Sequence, residues 1–291
     1  MLSSKKHTRR PLMRSSHSHA EASVVGGKEE SELPPVTERS SGRGTIVGTL
    51  SFPVRKSKAL RDNSDLIAKI ILRRRPGLLL CAGWSISSRR KLRPVIDATR
   101  KTITVVVLET SEANGKRAIS FRIKDGQRCK MGKQFFATRK EMNKYPRRVS
   151  NLARALPERS FRFSGRPLLL LVCGEVMVAE GRNKVHIHHS VPPELEHAVR
   201  AERVLILNPT HTRMGNSGTI QAWREFLSGK GRVYVSASNW RVSKDKKGRR
   251  QKPSPTLHSL WHNGKPTESS FPLQCNSNCN CYCYREWALP R

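Results

Sequence analysis

The stretch Pro-Leu-Leu-Leu-Leu-Val-Cys-Gly-Glu, residues 167 to 175, constrains the fold of this chain more than any other. Leu168 to Val172 are consecutive apolar residues with a proline before them and a Cys-Gly-Glu turn after them. A run of that length and continuity predicts a fully buried strand in the middle of a sheet. The strand ends on Cys173, and Gly174 behind it permits a tight turn at positive φ. A thiol at the exposed end of such a strand sits where hydrolases that use a strand-to-turn elbow project their nucleophile. The competing reading is the ordinary one for a lone cysteine, a small hydrophobe buried for packing. The surroundings of Cys173 have to decide between them.

Those surroundings alternate between strand and helix patterns. Gly44 to Phe52 reads as a first strand, and Leu60, Leu66, Ile67, Ile70 and Ile71 line one face of a helix that ends at Arg73-Arg-Arg-Pro76. Leu78 to Ala82 is a second, continuously apolar strand. This βαβ start implies an α/β sheet with parallel pairing. A helix-compatible stretch from Ser88 to Lys101 leads to the β-branched strand Ile103 to Glu109, and Asn114-Gly115 turns the chain into a hairpin partner from Arg117 to Ile123. Asp125 to Arg166 is polar and reads as irregular, with Phe161 to Gly165 a loop before the Cys173 strand. Beyond that strand come a histidine-bearing loop, a helix over Glu194 to Glu202, the strand Arg203 to Pro209, a helix over Ser217 to Ser228 and the strand Arg232 to Ser238. Lys244 to Lys252 is a basic loop, and Leu257 to Pro266 adds a short strand and turn. The expected organisation is a disordered basic arm over 1–43, one domain over 44–268 and a Cys-rich irregular tail over 269–291.

Charge is the unusual feature of the composition: 56 Lys and Arg against 22 Asp and Glu, a net +34. Such a chain attracts polyanions, including nucleic acid, in a non-specific and salt-dependent way. The charge is spread along the sequence, with no zinc-finger spacing, helix-turn-helix pattern or aromatic RNA-binding strand to turn attraction into recognition. Seven cysteines without a secretory leader point to reduced thiols and a cytoplasmic setting. The longest apolar runs fall far short of the roughly 20 residues that span a bilayer, so no membrane span is expected.

The order of these segments resembles the nitrilase, or carbon–nitrogen hydrolase, superfamily over about Gly44 to Pro266. The local matches are Leu168 to Glu175, Arg203 to Pro209 and Ala222 to Asn239. The resemblance implies a four-layer α-β-β-α sandwich, a small amide or nitrile substrate, no cofactor and a homo-oligomer. It also implies a glutamate, a lysine and a cysteine as catalytic residues, often with a second glutamate after the lysine. Cys173 matches the nucleophile. Lys133 matches the lysine, with Lys130 as its rival, and Glu141 matches the second carboxylate. The first glutamate departs from the pattern, because Gly83 in Leu80-Cys-Ala-Gly-Trp84 stands where that residue is expected. A thiol needs a neighbouring base or cation to become a ready nucleophile at neutral pH. Glu109, at the end of the next central strand, and Glu141 are the carboxylates that could substitute. Glu175 shapes the substrate site beside the nucleophile, and His211, at a strand end, is a substrate contact.

Two clusters invite a metal reading. His186, His188, His189 and His197 form one, and Cys275, Cys279, Cys281 and Cys283 the other. Neither has the paired, well-separated spacing of a structural zinc site, so no metal is expected. The leading reading is a hydrolase of carbon–nitrogen bonds other than peptide bonds, working through a thioester acyl-enzyme. Gly83 supports a second reading, a catalytically degenerate relative that serves as a binding or scaffold protein. The charge alone supports a third, a polyanion-binding protein.

Overall fold

The computed structural model describes residues 45–54, 62–112, 117–212, 217–241, 254–276 and 282–291. The arm expected over residues 1–43, the Asn114-Gly115 turn and the Lys244 to Lys252 loop lie outside these. Two large sheets carry the fold. The first has seven strands in the spatial order Phe271–Asn276, Tyr282–Ala288, Ile46–Ser51, Leu78–Cys81, Val105–Glu112, Arg117–Lys124 and Gln127–Gly132. Its centre is parallel, Ile46–Ser51 beside Leu78–Cys81 and that beside Val105–Glu112, as the βαβ start implies. The second has six strands in the order Lys265–Pro266, His258–His262, Val233–Ser238, Leu205–Thr210, Arg166–Leu170 and Ser160–Phe163. It too is parallel at its centre.

The unbroken apolar runs follow from what lies on either face of these strands. Alternate side chains of a strand point to opposite faces. Leu168 and Leu170 point between the sheets, where they join Leu205, Leu207, Leu78 and Leu80 in one core. Leu169 and Leu171 point the other way, into a second core closed by Leu152, Leu195, Trp223 and Leu227 from the helices Pro146–Arg154, Pro193–Arg200 and Ser217–Ser228. On the far side of the first sheet the helices Ser64–Arg74 and Arg93–Arg100 pack on one another, burying Ile67, Ile70, Ile71 and Val95. The result is the four-layer α-β-β-α sandwich. Among the described residues no helix is long and apolar enough to cross a membrane.

Three expectations need correcting. Asp125 to Arg166 is not irregular: it holds the edge strand Gln127–Gly132, the short helices Arg139–Lys144, Pro146–Arg154 and Leu156–Arg159, and the strand Ser160–Phe163, which pairs with Arg166–Leu170. The edge strand leaves its first four residues exposed, and the helices bury only a few apolar positions each, Met142, Val149, Leu152 and Ala153 among them. Neither therefore shows a clear apolar period. The described part of 269–291 is likewise not an irregular tail, because residues 283–288 pair antiparallel with the whole of Ile46–Ser51. Tyr282, Tyr284 and Trp287 are buried there, and a Cβ on Gly48 would come within 2.8 Å of the Tyr284 hydroxyl oxygen. Polar Arg285 and the buried Glu286, which accepts a hydrogen bond from Tyr284, hide the strand pattern. Cys283 is disulfide-bonded, against the expectation of reduced thiols throughout, and Cys275 stands opposite it in register.

One buried histidine ties the two sheets together. His258 of the second sheet places its ring nitrogens against the Thr49 and Ser51 hydroxyls of the first. Burial, with the positive charge of Arg285 adding to it, pushes its pKa down to about 3, so the folded protein holds the ring neutral. A histidine in the unfolded chain titrates near 6.5. Below that pH the unfolded chain takes up a proton that the folded one refuses. The stabilisation from this site is therefore complete above about pH 6.5 and is lost as the pH falls toward 3, at up to about 1.4 kcal/mol per pH unit. Urea unfolding midpoints are expected to drop between pH 7 and pH 4. The drop should be visibly shallower in His258→Gln than in the parent protein.

Candidate active site

The strand Arg166–Leu170 runs through Leu171 and Val172 into a 3-10 turn, Cys173–Val178. Cys173 itself has φ 48°, a left-handed conformation that a non-glycine residue adopts only at a cost of about 1–3 kcal/mol. The surroundings hold it there. Asn208 Nδ2 donates to the carbonyls of Leu171, at 2.6 Å, and of Cys173, at 3.1 Å, and Asn208 Oδ1 accepts from the Tyr234 hydroxyl at 2.8 Å. The positive φ belongs to Cys173 and not, as expected, to Gly174. Glycine at 174 is required for another reason: a Cβ there would lie 2.3 Å from the backbone oxygen of Ala137.

Glu175 is fully buried, so it shapes the site through the turn and does not touch substrate. It accepts from the backbone N–H of Val172 at 2.7 Å and of Phe135 at 2.8 Å, and forms an ion pair of 3.0 Å with the equally buried Arg159. Burial raises its pKa, opposed by the Arg159 charge and by these hydrogen bonds. Its work is to pin the turn after the cysteine.

His211 faces Cys173, and Glu109 and Trp84 meet at His211. Glu109, fully buried on Val105–Glu112, lies with its Oε2 2.6 Å from His211 Nε2 and accepts from the Trp84 N–H at 2.9 Å. His211 follows Leu205–Thr210, stacks its ring on Trp84 with centroids 4.1 Å apart, and lies against the Cys173 side chain. Burial alone would lower the His211 pKa. The Glu109 carboxylate and the hydrogen bonds to Cys173 and Glu109 outweigh it and carry the value up to about 10. Both residues stand out in the sequence, His211 as a substrate contact and Glu109 as a substitute base, with nothing there to link them.

Gly83 explains the departure from the expected pattern. Its N–H donates to the Thr210 carbonyl at 3.1 Å, and its own carbonyl accepts from Asn239 Nδ2. A Cβ on residue 83 would lie 2.3 Å from His211 Cδ2 and 3.1 Å from Glu109 Oε2. The space next to residue 83 is occupied by an imidazole and by a carboxylate delivered from the adjacent strand.

Lys133 and Glu141 are placed differently. Lys133 is exposed, and its backbone carbonyl accepts a hydrogen bond from Arg159. Its ammonium makes no ion pair among the described residues. Lys130 is likewise exposed on the edge strand. Glu141 accepts from the Ala137 N–H at 3.0 Å and from Arg148 at 2.9 Å, while its own N–H is capped by Thr138, a helix-start arrangement. Of the metal candidates, His188 and His189 bring ligand nitrogens within 4.8 Å of a Glu180 oxygen. Arg139, 3.7 Å from Glu180, already supplies a positive charge there. His197 lies on the helix Pro193–Arg200. Cys279 and Cys281 lie outside the described residues.

No family model and no curated protein matches the sequence. Solved structures do match the fold. A mutant of the Nesterenkonia AN1 amidase from the nitrilase superfamily aligns over 86% of this chain and 92% of its own, at 13% identity and a TM-score of 0.51. A double mutant of the amidase from Nesterenkonia sp. AN1 in complex with acrylamide aligns over 87% and 94%, at 13% identity and a TM-score of 0.50. A third form of that amidase, showing covalent addition of the acetamide moiety of fluoroacetamide at the active site cysteine, gives 12% identity with the same coverage and TM-score. The chain therefore has a nitrilase-superfamily fold.

Proposed function

We propose that on this nitrilase-type fold the chain hydrolyses carbon–nitrogen bonds of small amides, with Cys173 as nucleophile, His211 as proton carrier and Glu109 as the carboxylate that orients and charges the imidazole. The observation that carries this reading is His211, placed against the Cys173 side chain on one side and 2.6 Å from a buried carboxylate on the other. A nucleophile, a base and a residue that orients the base form the arrangement that generalises the serine-protease triad.

The steps follow from these positions. The Cys173 sulfur attacks the amide carbon as a thiolate, its proton held by His211. A tetrahedral adduct forms, and the imidazolium beside it offsets the charge growing on the carbonyl oxygen. His211 gives its proton to the amide nitrogen, the C–N bond breaks, and ammonia or an amine leaves a thioester on Cys173. The imidazole, now neutral, takes a proton from water as the water attacks the thioester. The C–S bond breaks, the acid departs, and sulfur and imidazolium are restored. Because His211 must be protonated to release the amine, turnover is expected to fall above about pH 10, the value to which Glu109 and Cys173 raise this ring.

The reading is tested by labelling the chain with fluoroacetamide and locating the adduct by mass spectrometry. Cys173 is half-buried, Cys129 is exposed, and Cys81 is a buried thiol whose pKa desolvation raises well above the ordinary range. A reactive nucleophile is labelled out of order with its exposure, Cys173 before Cys129 and Cys81 not at all. Labelling that follows exposure, with Cys129 first, would sink the assignment. So would ammonia release from simple amides that persists in Cys173→Ala.

A further inference from the structure

The parallel strands of both sheets start at the end of the sandwich opposite Cys173, and hydrogen bonds join their entry loops into one surface. Thr45, ahead of Ile46–Ser51, shares a hydrogen bond with Ser164 in the turn before Arg166–Leu170. Gly126, in the turn after Arg117–Lys124, donates to Thr99 of the helix Arg93–Arg100. Gly231, ahead of Val233–Ser238, donates to the Asn263 side chain just past His258–His262.

These loops carry cations. On the first sheet Arg73, Lys101 and Arg128 are exposed at or just before the starts of Leu78–Cys81, Val105–Glu112 and Gln127–Gly132. On the second, Arg162, Arg203 and Lys230 are exposed beside the starts of Arg166–Leu170, Leu205–Thr210 and Val233–Ser238. Helix dipoles favour a cation where a helix ends, but Arg128 and Arg162 stand on hairpins. Among the described residues the acidic side chains on these loops are Asp125, 3.6 Å from Lys124, and Glu202. Glu109, Glu158 and Glu175 belong to the other end, beside His211, Gly132 and the Cys173 turn.

Two more cations lie beneath this surface. Arg166, 2% exposed, donates to the carbonyls of Arg203, Gly231 and Pro290, and Arg232, 6% exposed, to those of Phe226 and Leu227. Buried charges are ordinarily paired. Here carbonyl dipoles satisfy the donors and, among the described residues, no carboxylate cancels either charge, so both add to the field at this end. Each row of surface cations crosses three strand spacings, about 14 Å, and the rows are about 10 Å apart. Over about 14 Å of its axis a nucleic-acid duplex presents about eight negative charges. The large exposed apolar side chains near this face are Leu72 and Ile103, and neither is aromatic. Single-strand sites stack bases on aromatic rings, and membrane-surface helices bury a whole apolar face. Neither provision is present among the described residues here.

We propose that the end of the sandwich opposite Cys173 is a docking face for double-stranded nucleic acid, held through its phosphates and without regard to base sequence. The face is separate from the amide chemistry and stands or falls without it.

The test follows binding of the full chain to a fluorescein-labelled DNA duplex of about 20 base pairs by anisotropy, from about 50 to about 200 mM salt. Combining Arg73→Gln, Lys101→Gln, Arg128→Gln and Lys230→Gln should weaken binding about 10–100-fold and reduce the slope of log affinity against log salt by about 3–4, at about 0.9 per lost phosphate contact. A control with the same net charge combines Lys140→Gln, Lys144→Gln, Arg147→Gln and Arg154→Gln, all exposed on the helices Arg139–Lys144 and Pro146–Arg154. It should change affinity by less than about threefold, since charges away from the contact are screened. A second variant, Lys101→Glu with Arg128→Glu, should weaken binding in the same direction should the fourfold one not fold. Equal weakening by the control shows attraction through net charge alone and overturns the proposal. Tighter binding of a single strand of the same length overturns it too. So does a fourfold variant that keeps the duplex and loses only vesicles of phosphatidylcholine with phosphatidylserine, which would make the face a membrane contact.

Discussion

Replacing His211 by Asn lowers amide turnover by about 10²–10⁴-fold, the range a positioned proton carrier contributes. The loss arises twice per cycle, once when the amine must be protonated and once when water must be deprotonated. Glu109→Gln gives a smaller loss with a different signature. Glu109 contributes much of the upward shift that takes His211 to about 10, so the alkaline limb of the rate profile should move down by one or more pH units in that variant. Gly83→Glu places the glutamate where the family resemblance expects it, yet it should lower activity, because the new Cβ would fall 2.3 Å from the His211 ring. Steady-state rates for these three variants beside Lys133→Met and Glu141→Gln decide between two sites. If the lysine and Glu141 variants were inactive and His211→Asn kept nearly full turnover, the assignment of His211 and Glu109 would be wrong.

Arg159→Met should destabilise the protein by about 3–5 kcal/mol, the cost of removing one partner of a buried ion pair. Glu175 would keep two backbone donors and lose its countercharge, at a site with no solvent exposure for either residue. Leu170 and Lys133 would also lose the guanidinium that their carbonyls bind. The double change Arg159→Met with Glu175→Gln should recover a good part of the loss, since the stranded charge is then gone. Urea unfolding of the single and double variants at pH 7 reads this directly. A loss below about 1 kcal/mol in the single variant would show that the turn stands without the pair.

The strands and the elbow were legible because they leave local marks. Five apolar residues in a row need cover on both faces, and Cys173 stands where that run stops. Glu109 and His211 were each visible as polar residues at strand ends, but their meeting was not. They lie 102 residues apart, Glu109 on a strand of one sheet and His211 just past a strand of the other, so only the face-to-face packing of the two sheets brings them together. Lys133 was carried by resemblance alone, in a chain with 56 basic residues to choose from. Arg159 gave no signal for the same reason, since a cation bound for the interior looks like one bound for solvent. Glu175 was read at the right place and given the wrong surroundings, because burial of a carboxylate depends on an arginine that sequence does not pair with it.

The antiparallel match between Tyr282–Ala288 and Ile46–Ser51 bears on how the protein is made. On a ribosome the Ile46–Ser51 strand emerges early and can pair with Leu78–Cys81 on one side, while its other edge waits for nearly all of the intervening chain to be synthesised. Until then its N–H and C=O groups form an open edge of the kind that recruits other chains. The last strand is the clasp that closes this edge, so nascent chains stalled before Tyr282 would hold most of the sandwich and still be prone to clump.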